Sequence, residues 1–397
     1  MRWRGISSDL NWLGISIGLW GLGYGLYAVL WPLWVEHLGG GPFGLGLLST
    51  LASLATALVV LPGGYWADRL DRRCLLFWGS VVAVPVPFLF AWAPRWPWLI
   101  PGVLLYFGSS FSIPALQAVV VAEAPPERLS FLFNLIMAEA AVGLVAGPAL
   151  GGMIAQRWSF PAVFYLSGLL YLLSALAILP MRPKPPRVAS ASSVAASFRP
   201  GPALRRWLLF TAALALIGGV AGPFVVPFLK AVGQLSVAQI GILGSVGVLS
   251  ATLAGPVWGW MAESWGIPRT LGLGFALGTV GWLVLLWQPA QYGWLLWSSV
   301  IRGVGEGARN LVGVAVGQVV GTRRAGQAYG FMGLITEGVG ALAPLVGGAL
   351  YGQWNLAPLL VATALTGMVA AWLLSGPPYG PPEHLNPFRR SPAGKLP

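Results

Sequence analysis

Charge is scarce in this chain. Only 9% of its 397 residues are Asp, Glu, Lys or Arg, where a soluble domain carries about a quarter. A soluble globular fold is therefore excluded. Acids are scarcer than bases, 11 against 23. Cys74 is the single cysteine, which excludes a disulfide framework within the chain. His37 and His384 are the only histidines, so no metal-ligand spacing is legible and no metal or other cofactor is expected. No Walker loop, dinucleotide-binding glycine fingerprint or catalytic triad pattern occurs. The chain is not expected to be an enzyme, nor to couple to ATP by itself.

What is abundant is apolar sequence: 56% hydrophobic residues, with 55 glycines and 21 tryptophans. A membrane-spanning helix needs about 20 apolar residues. Twelve runs of that kind are legible, at about 10–35, 43–67, 74–93, 98–122, 130–155, 161–180, 207–232, 237–262, 270–287, 292–320, 328–351 and 358–375. Several contain Gly and Pro, which membrane helices tolerate when neighbours re-satisfy the backbone. The N-terminus is basic and then apolar without a small-residue cleavage site, so it reads as an uncleaved first span.

The segment between runs six and seven is basic and rich in Pro, Ala and Ser, and reads as a flexible linker. Four regions follow: a first six-helix half at 1–180, a linker at 181–206, a second half at 207–376 and a Pro-rich tail at 377–397. With the N-terminus inside, 18 of the Lys and Arg residues fall on the cytoplasmic side, and only Arg95, Arg157 and Lys230 on the outer side. That bias places both termini in the cytoplasm of a cell that holds the chain in its inner membrane. The net charge of +12 then reports topology and contact with anionic lipid; no nucleic-acid partner is expected.

The halves repeat each other weakly. GPALGG at 147–152 returns as APLVGG at 343–348, and Trp158 as Trp354, both 196 residues later. Gly64, Ala67, Asp68 and Trp92 fall on Gly259, Ala262, Glu263 and Trp287 at an offset of 195. An internal repeat of two halves is a recurrent transporter architecture.

The densest charge lies between the second and third runs, where residues 63–73 read GGYWADRLDRR. As a basic loop it fits the cytoplasmic side. Its pattern also resembles the loop between helices 2 and 3 in the major facilitator superfamily of secondary transporters. Gly64, Ala67, Asp68, Arg69, Arg72 and Arg73 match that family's pattern, while Trp66 replaces a Leu and Asp71 a second Gly. The resemblance covers about residues 10–375. It implies an all-α integral membrane fold of twelve helices in two pseudo-symmetric halves, with a central cavity and alternating access. The expected partners are the bilayer, a small-molecule substrate and protons, and the expected assembly is a monomer. In the second half the loop is decayed: WGWMAESWGIPR keeps one acid and loses most arginines.

Glu139, Gly143, Gly147 and Gly151 lie four apart on the fifth run, near one face of a helix. Such a stripe permits close helix packing. GLVAGPALGG also resembles the helix-5 motif of the proton-coupled drug antiporters of this superfamily, with Gly143, Gly147, Pro148, Gly151 and Gly152 matching and Asn134 standing where that branch has a glycine. Glu139 lies roughly 14 Å into the run at ~1.5 Å per residue. A mid-bilayer charge costs about 2.5–3.5 kcal/mol, which uptake of a proton avoids. Glu139 is thus a proton carrier or a carboxyl satisfied by a neighbouring helix.

On the tenth run Arg302, Glu306 and Arg309 are four and three apart and can share one face. They form either a self-satisfied network or a patch that senses substrate, with Glu337 of the eleventh run as a further neutralising or proton-carrying acid. Flanked by two arginines, Glu306 is expected to stay ionised and to be needed for folding. The drug antiporters carry an Arg on helix 4, but the fourth run here has none, which departs from that branch's proton relay. Gln117, Asn134 and Asn310 are candidates to line the cavity.

The resulting expectation is a proton-coupled exporter of small amphipathic or apolar compounds. A metabolite, sugar or lipid carrier is the alternative, followed by a non-transporting sensor of the same fold. Asp68, at the cytoplasmic end of the second run, can meet the positive N-terminus of a second-half helix, and the resemblance implies that this is the eleventh, so that the contact acts as a latch. Asp68→Asn should slow transport severely while leaving expression nearly intact, which uptake assays on matched membrane preparations measure; wild-type rates would remove the latch.

Overall fold

The computed structural model describes residues 7–123, 129–183, 201–320 and 325–375. The described elements are all helical, with no strand among them. Helices α1 (Ser8–Ala28) and α2 (Trp31–His37) make the first run, bent by 46° at the break between them. Next come α3 (Gly41–Arg69), then α4 (Arg72–Ala83) with α5 (Pro85–Ala91), and α6 (Leu99–Gly108) joined to α7 (Ile113–Glu123) by a 3-10 turn at Ser109–Ser112. Helices α8 (Leu129–Arg157) and α9 (Phe160–Ala177) complete the part before residue 183. After residue 201 follow α10 (Pro202–Ala221) with α11 (Val225–Ala231), α12 (Val237–Trp265), α13 (Ile267–Trp287), α14 (Tyr292–Gly307) with α15 (Leu311–Val320), α16 (Ala325–Gly340) with α17 (Ala343–Gln353), and α18 (Ala357–Leu374).

By length and composition ten of these helical segments can cross a membrane, or eleven when α1 and α2 count as one. The stretch α14–α15 is not among them, because Arg302, Glu306, Arg309 and Asn310 lower its hydropathy.

Polar side chains set the helix starts. Ser159 caps α9 through Ala162 N–H, and Ser236 caps α12 through Gln239 N–H. Gln239 returns its own side-chain oxygen to the Ser236 amide at 2.9 Å. Such reciprocal caps satisfy amides that a helix start leaves free. Between α12 and α13 the chain turns on Gly266 at φ +81°, a backbone conformation that side chains resist.

Glycines decide which helices touch. Gly14, Gly18, Gly21 and Gly25 run along one side of α1 and face the stripe on α8. A Cβ at Gly21 would lie 2.6 Å from the Ala140 carbonyl oxygen, and one at Gly25 the same distance from that of Gly143. Gly143, Gly147 and Gly151 in turn press on the backbone of Leu22, Gly25 and Leu26. The repeat makes the equivalent pair after residue 201, where Gly347 presses on the Val220 carbonyl of α10.

Helices before residue 183 pack mainly on each other, as do those after 201, and two seams join the groups: α8 with α12, and α3 with α16–α17. The seams are related by the internal repeat. A Cβ at Gly152 would lie 2.8 Å from the Val237 oxygen, and one at Gly348 2.7 Å from the Pro42 oxygen. Gly241 abuts the Pro148 carbonyl, and Gly46 the Pro344 carbonyl at 2.7 Å. Pro42, Gly46 and Thr50 recur 195 residues later as Val237, Gly241 and Ser245. Each seam also has one hydroxyl bond at a proline-disturbed backbone. Ala149 N–H, next to Pro148, donates to Ser245 Oγ at 2.9 Å. Thr50 Oγ1 donates to the Ala341 carbonyl at 2.5 Å, where the helix breaks before Pro344. Gln156 Oε1 adds a bond from Ala238 N–H at 3.0 Å.

Overpacking such a contact costs about 1–3 kcal/mol. Gly151→Ala and Gly347→Ala should each lower the melting temperature of detergent-purified protein. Gly259→Ala, at a position with nothing within 4 Å, should melt as wild type. Equal melting of all three would show the helix pairs to be looser than this geometry.

Candidate functional site

Both seams lie at one end of the helices: α3 contributes residues 42–53 and α8 residues 148–156. Arg69, Arg72 and Arg73 stand at the other end of α3. There, Gly64 on α3 and Gly255 and Gly259 on α12 meet nothing within 4 Å. Two cavities open off the seams. The larger, about 630 Å³, is formed almost wholly by helices after residue 201. Leu214, Val225, Leu243 and Phe275 supply apolar wall, while Arg302, Glu306, Arg309 and Asn310 supply its charge and polarity. The smaller, about 250 Å³, lies among Tyr24, Tyr27, Trp31, Tyr106 and Phe107, with Ser49 and Ser53 at its side.

The tenth-run charges do meet, but not as a symmetric triad. Glu306 Oε1 pairs with Arg309 Nη1 at 2.6 Å, and the two side chains are 57% and 34% exposed. Arg302 lies instead over the Trp282 ring, 3.8 Å from its centroid. Glu306 attracts it electrostatically without closing an ion pair among the described residues. Arg309 also reaches toward Gly218 of α10. The expected pairing of Glu306 with both arginines is not formed: it pairs with Arg309, and its side chain faces an open cavity.

Glu337, expected near that patch, lies instead close to Ser53 of α3. It thus stands on a seam, beside the smaller cavity. Glu139 lies between α8 and α1, its carboxyl against the Gly14 backbone with Oε1 2.9 Å from where a Cβ would be. Its Oε2 is buried with no hydrogen-bond partner among the described residues. It lines neither cavity.

The charged loop is a clamp on helix ends. Asp71 caps α4, accepting from Arg73 N–H at 2.8 Å and Cys74 N–H at 3.4 Å. Arg72 is buried; its Nε donates to the Ala67 carbonyl at 3.2 Å and its Nη1 to that of Ala118 on α7 at 3.5 Å. Arg73 donates to the carbonyls of Ile178 and Leu179 beyond the end of α9. Cations at carbonyl-rich helix ends complement the helix dipole. Arg69 stacks on Tyr65, 3.6 Å from its ring centroid. The side chain of Asp68, and residues 321–324 before α16, lie outside the described residues, so the expected latch does too.

Of the cavity candidates, Asn310 lines the larger cavity. Gln117 is exposed on α7 and lines neither. Asn134 lies within α8, but its side chain is outside the described residues. The Ser109 and Ser112 hydroxyls bond local carbonyls of Tyr106 and Ser109. No group of three His, Cys, Asp or Glu side chains that would hold a metal occurs among the described residues. Sequence reasoning missed Trp282 and the tyrosines of the smaller cavity. Tyr24 and Tyr27, three apart on the glycine-rich α1, were the available signal.

A family model, the Major Facilitator Superfamily, matches residues 13–234 and 208–397. The chain belongs to that superfamily; it is a multi-pass membrane transporter and not an enzyme. It is 24% identical over 373 residues to a multi-drug resistance efflux pump PmrA homolog of Lactococcus lactis, covering 90% of this chain and 91% of that one. It is 23% identical over 382 residues to the multidrug resistance protein MdtG of Enterobacter lignolyticus, covering 90% and 88%. Its fold matches a crystal structure of the nucleoside transporter NupG with a TM-score of 0.78 at 14% identity, covering 93% and 99% of the two chains. A bacterial homolog of the human lysosomal transporter Spinster matches with a TM-score of 0.71 at 20% identity, covering 92% and 90%.

Exposed ion pairs contribute about 0.2–1 kcal/mol. Glu306→Gln should therefore melt within that margin of wild type while altering ligand binding. A large drop in melting temperature would return Glu306 to a structural role.

Proposed function

We propose that the chain is a proton-coupled exporter of small amphipathic compounds, working as a monomer in the inner membrane with both termini in the cytoplasm. The halves 1–180 and 207–376, joined by the linker 181–206 and followed by the tail 377–397, rock on the two seams. The observation that carries this reading is that the seams are close-packed at one end only. The end they close is the one away from the arginine-rich loops, so on the positive-inside rule the structure faces inward. Opening the other way requires the glycine–carbonyl contacts at Gly152 and Gly348 to part and the inner helix ends to meet.

Export is supported by the printed names of the efflux relatives, which align over nine-tenths of this chain. The apolar wall with a few charges in the larger cavity suits an amphipathic substrate better than a sugar, which needs many hydrogen bonds. Two carboxyls can carry the proton. Glu139 has a buried oxygen without a partner, which a proton would neutralise at less cost than a charge. Glu337 sits on the seam against Ser53, so its charge state bears directly on whether α16 and α3 stay together.

Proteoliposome efflux driven by an imposed pH gradient separates them. Glu139→Gln should abolish the dependence on the gradient by at least tenfold in rate while leaving substrate binding intact. Glu337→Gln should do so only if the seam acid carries the proton. Full gradient-driven efflux in both variants would overturn proton coupling through either.

A further inference from the structure

We infer that the larger cavity binds an organic anion, with Arg302 as the group that holds it; this deepens the transport reading and rests on it. The cavity wall carries two guanidinium groups and one carboxylate. The carboxylate is already taken, since Glu306 pairs with Arg309 at 2.6 Å. Arg302 closes no ion pair, and its nitrogens have no hydrogen-bond partner among the described residues. Glu337, the other acid of these helices near the seam, lies toward Ser53 of α3 and does not line this cavity. The positive charge that remains faces space bounded by Phe275, Leu214, Val225 and Leu243.

Two features make this a site and not a stray charge. The guanidinium carbon stands 3.8 Å from the Trp282 ring centroid, and a planar guanidinium held there can offer two N–H groups to both oxygens of a carboxylate. Gly281, next to Trp282, admits it: a Cβ there would lie 2.5 Å from Arg302 Cγ. The volume, about 630 Å³, falls within the range of roughly 300–1,000 Å³ typical of small-molecule pockets. An uncompensated cation in a membrane protein is costly unless a counter-ion visits it. The ligand that fits is an amphipathic carboxylate, its apolar body on the Phe275 side and its head on Arg302.

Calorimetric titration of the detergent-purified full chain with a charge series on one skeleton tests this: 2-naphthoate, 2-naphthamide and 2-naphthylmethylammonium at neutral pH. The anion should bind at least tenfold more tightly than either analogue. Arg302→Gln should erase that preference, Arg302→Lys should keep part of it, and Glu306→Gln, which frees Arg309, should tighten naphthoate severalfold. The wild-type series needs no variant to fold. Ammonium binding as tight as naphthoate, or an unchanged preference in a folded Arg302→Gln protein, overturns the anion site. Proteoliposomes separate the two readings. Naphthoate that binds through Arg302 yet is never moved across the bilayer sinks the transport reading and leaves the site standing. Movement of the ammonium probe alone sinks the site and leaves transport standing.

Discussion

The architecture depends on backbones coming within touching distance where Gly152 meets Val237 and Gly348 meets Pro42. In a bilayer, helices gain nothing from hiding apolar surface, since lipid is as apolar as leucine. Association rests on dispersion and on hydrogen bonds, both of which demand close approach. Glycine supplies the approach, and one hydroxyl per seam supplies the bond: Ser245 to the Ala149 amide, Thr50 to the Ala341 carbonyl. Proline makes those bonds available. Pro148 and Pro344 disturb the helical ladder, so a polar backbone group on each side looks outward for its partner. Both halves thus solve the same problem with the same positions, although one fifth-type helix stays continuous and its repeat breaks into α16 and α17.

A seam of this kind is strong in geometry and weak in charge. It contains glycine, proline and hydroxyls, with Glu337 as a titratable group beside it. In the proposed cycle such a seam can part and re-form without stranding ions in lipid. The charges are kept elsewhere. Arg72 and Arg73 serve helix ends, and Arg302, Glu306 and Arg309 line the cavity.

Much of this was legible in the sequence. Apolar runs gave the helices within a few residues, and the 196-residue repeat of GPALGG as APLVGG carries Gly152 and Gly348, one in each seam, whereas Gly64 and Gly259, paired at 195, lie away from both. The stripe at Gly143, Gly147 and Gly151 was read correctly as a packing face, but not its partner. That needed α1, whose own glycines are spaced less regularly. Side-chain direction was the main failure. Spacing placed Arg302, Glu306 and Arg309 on one face, yet could not show that Trp282 from α13 would claim Arg302, or that Glu337 would lie toward Ser53. Gln117 is polar on an apolar run for a reason the structure does not explain.

The decayed copy of the charged loop has a physical counterpart. Before residue 183, Arg72 ties α3 to α7 through the Ala118 carbonyl. After residue 201 the counterpart of α3 is α12 and that of the α6–α7 span is the α14–α15 span, and among the described residues no arginine ties these two. Trp258 does, its indole N–H donating to the Val304 carbonyl at 2.7 Å. An indole donor buried at 5% exposure holds the same two helices without a charge to solvate, and it sits further into the helix than a loop arginine can. The turn that follows is then free of capping duty and closes on Gly266 alone. Over 258–269, where only Arg269 remains of the arginines, the tie between the corresponding spans is thus made by an indole.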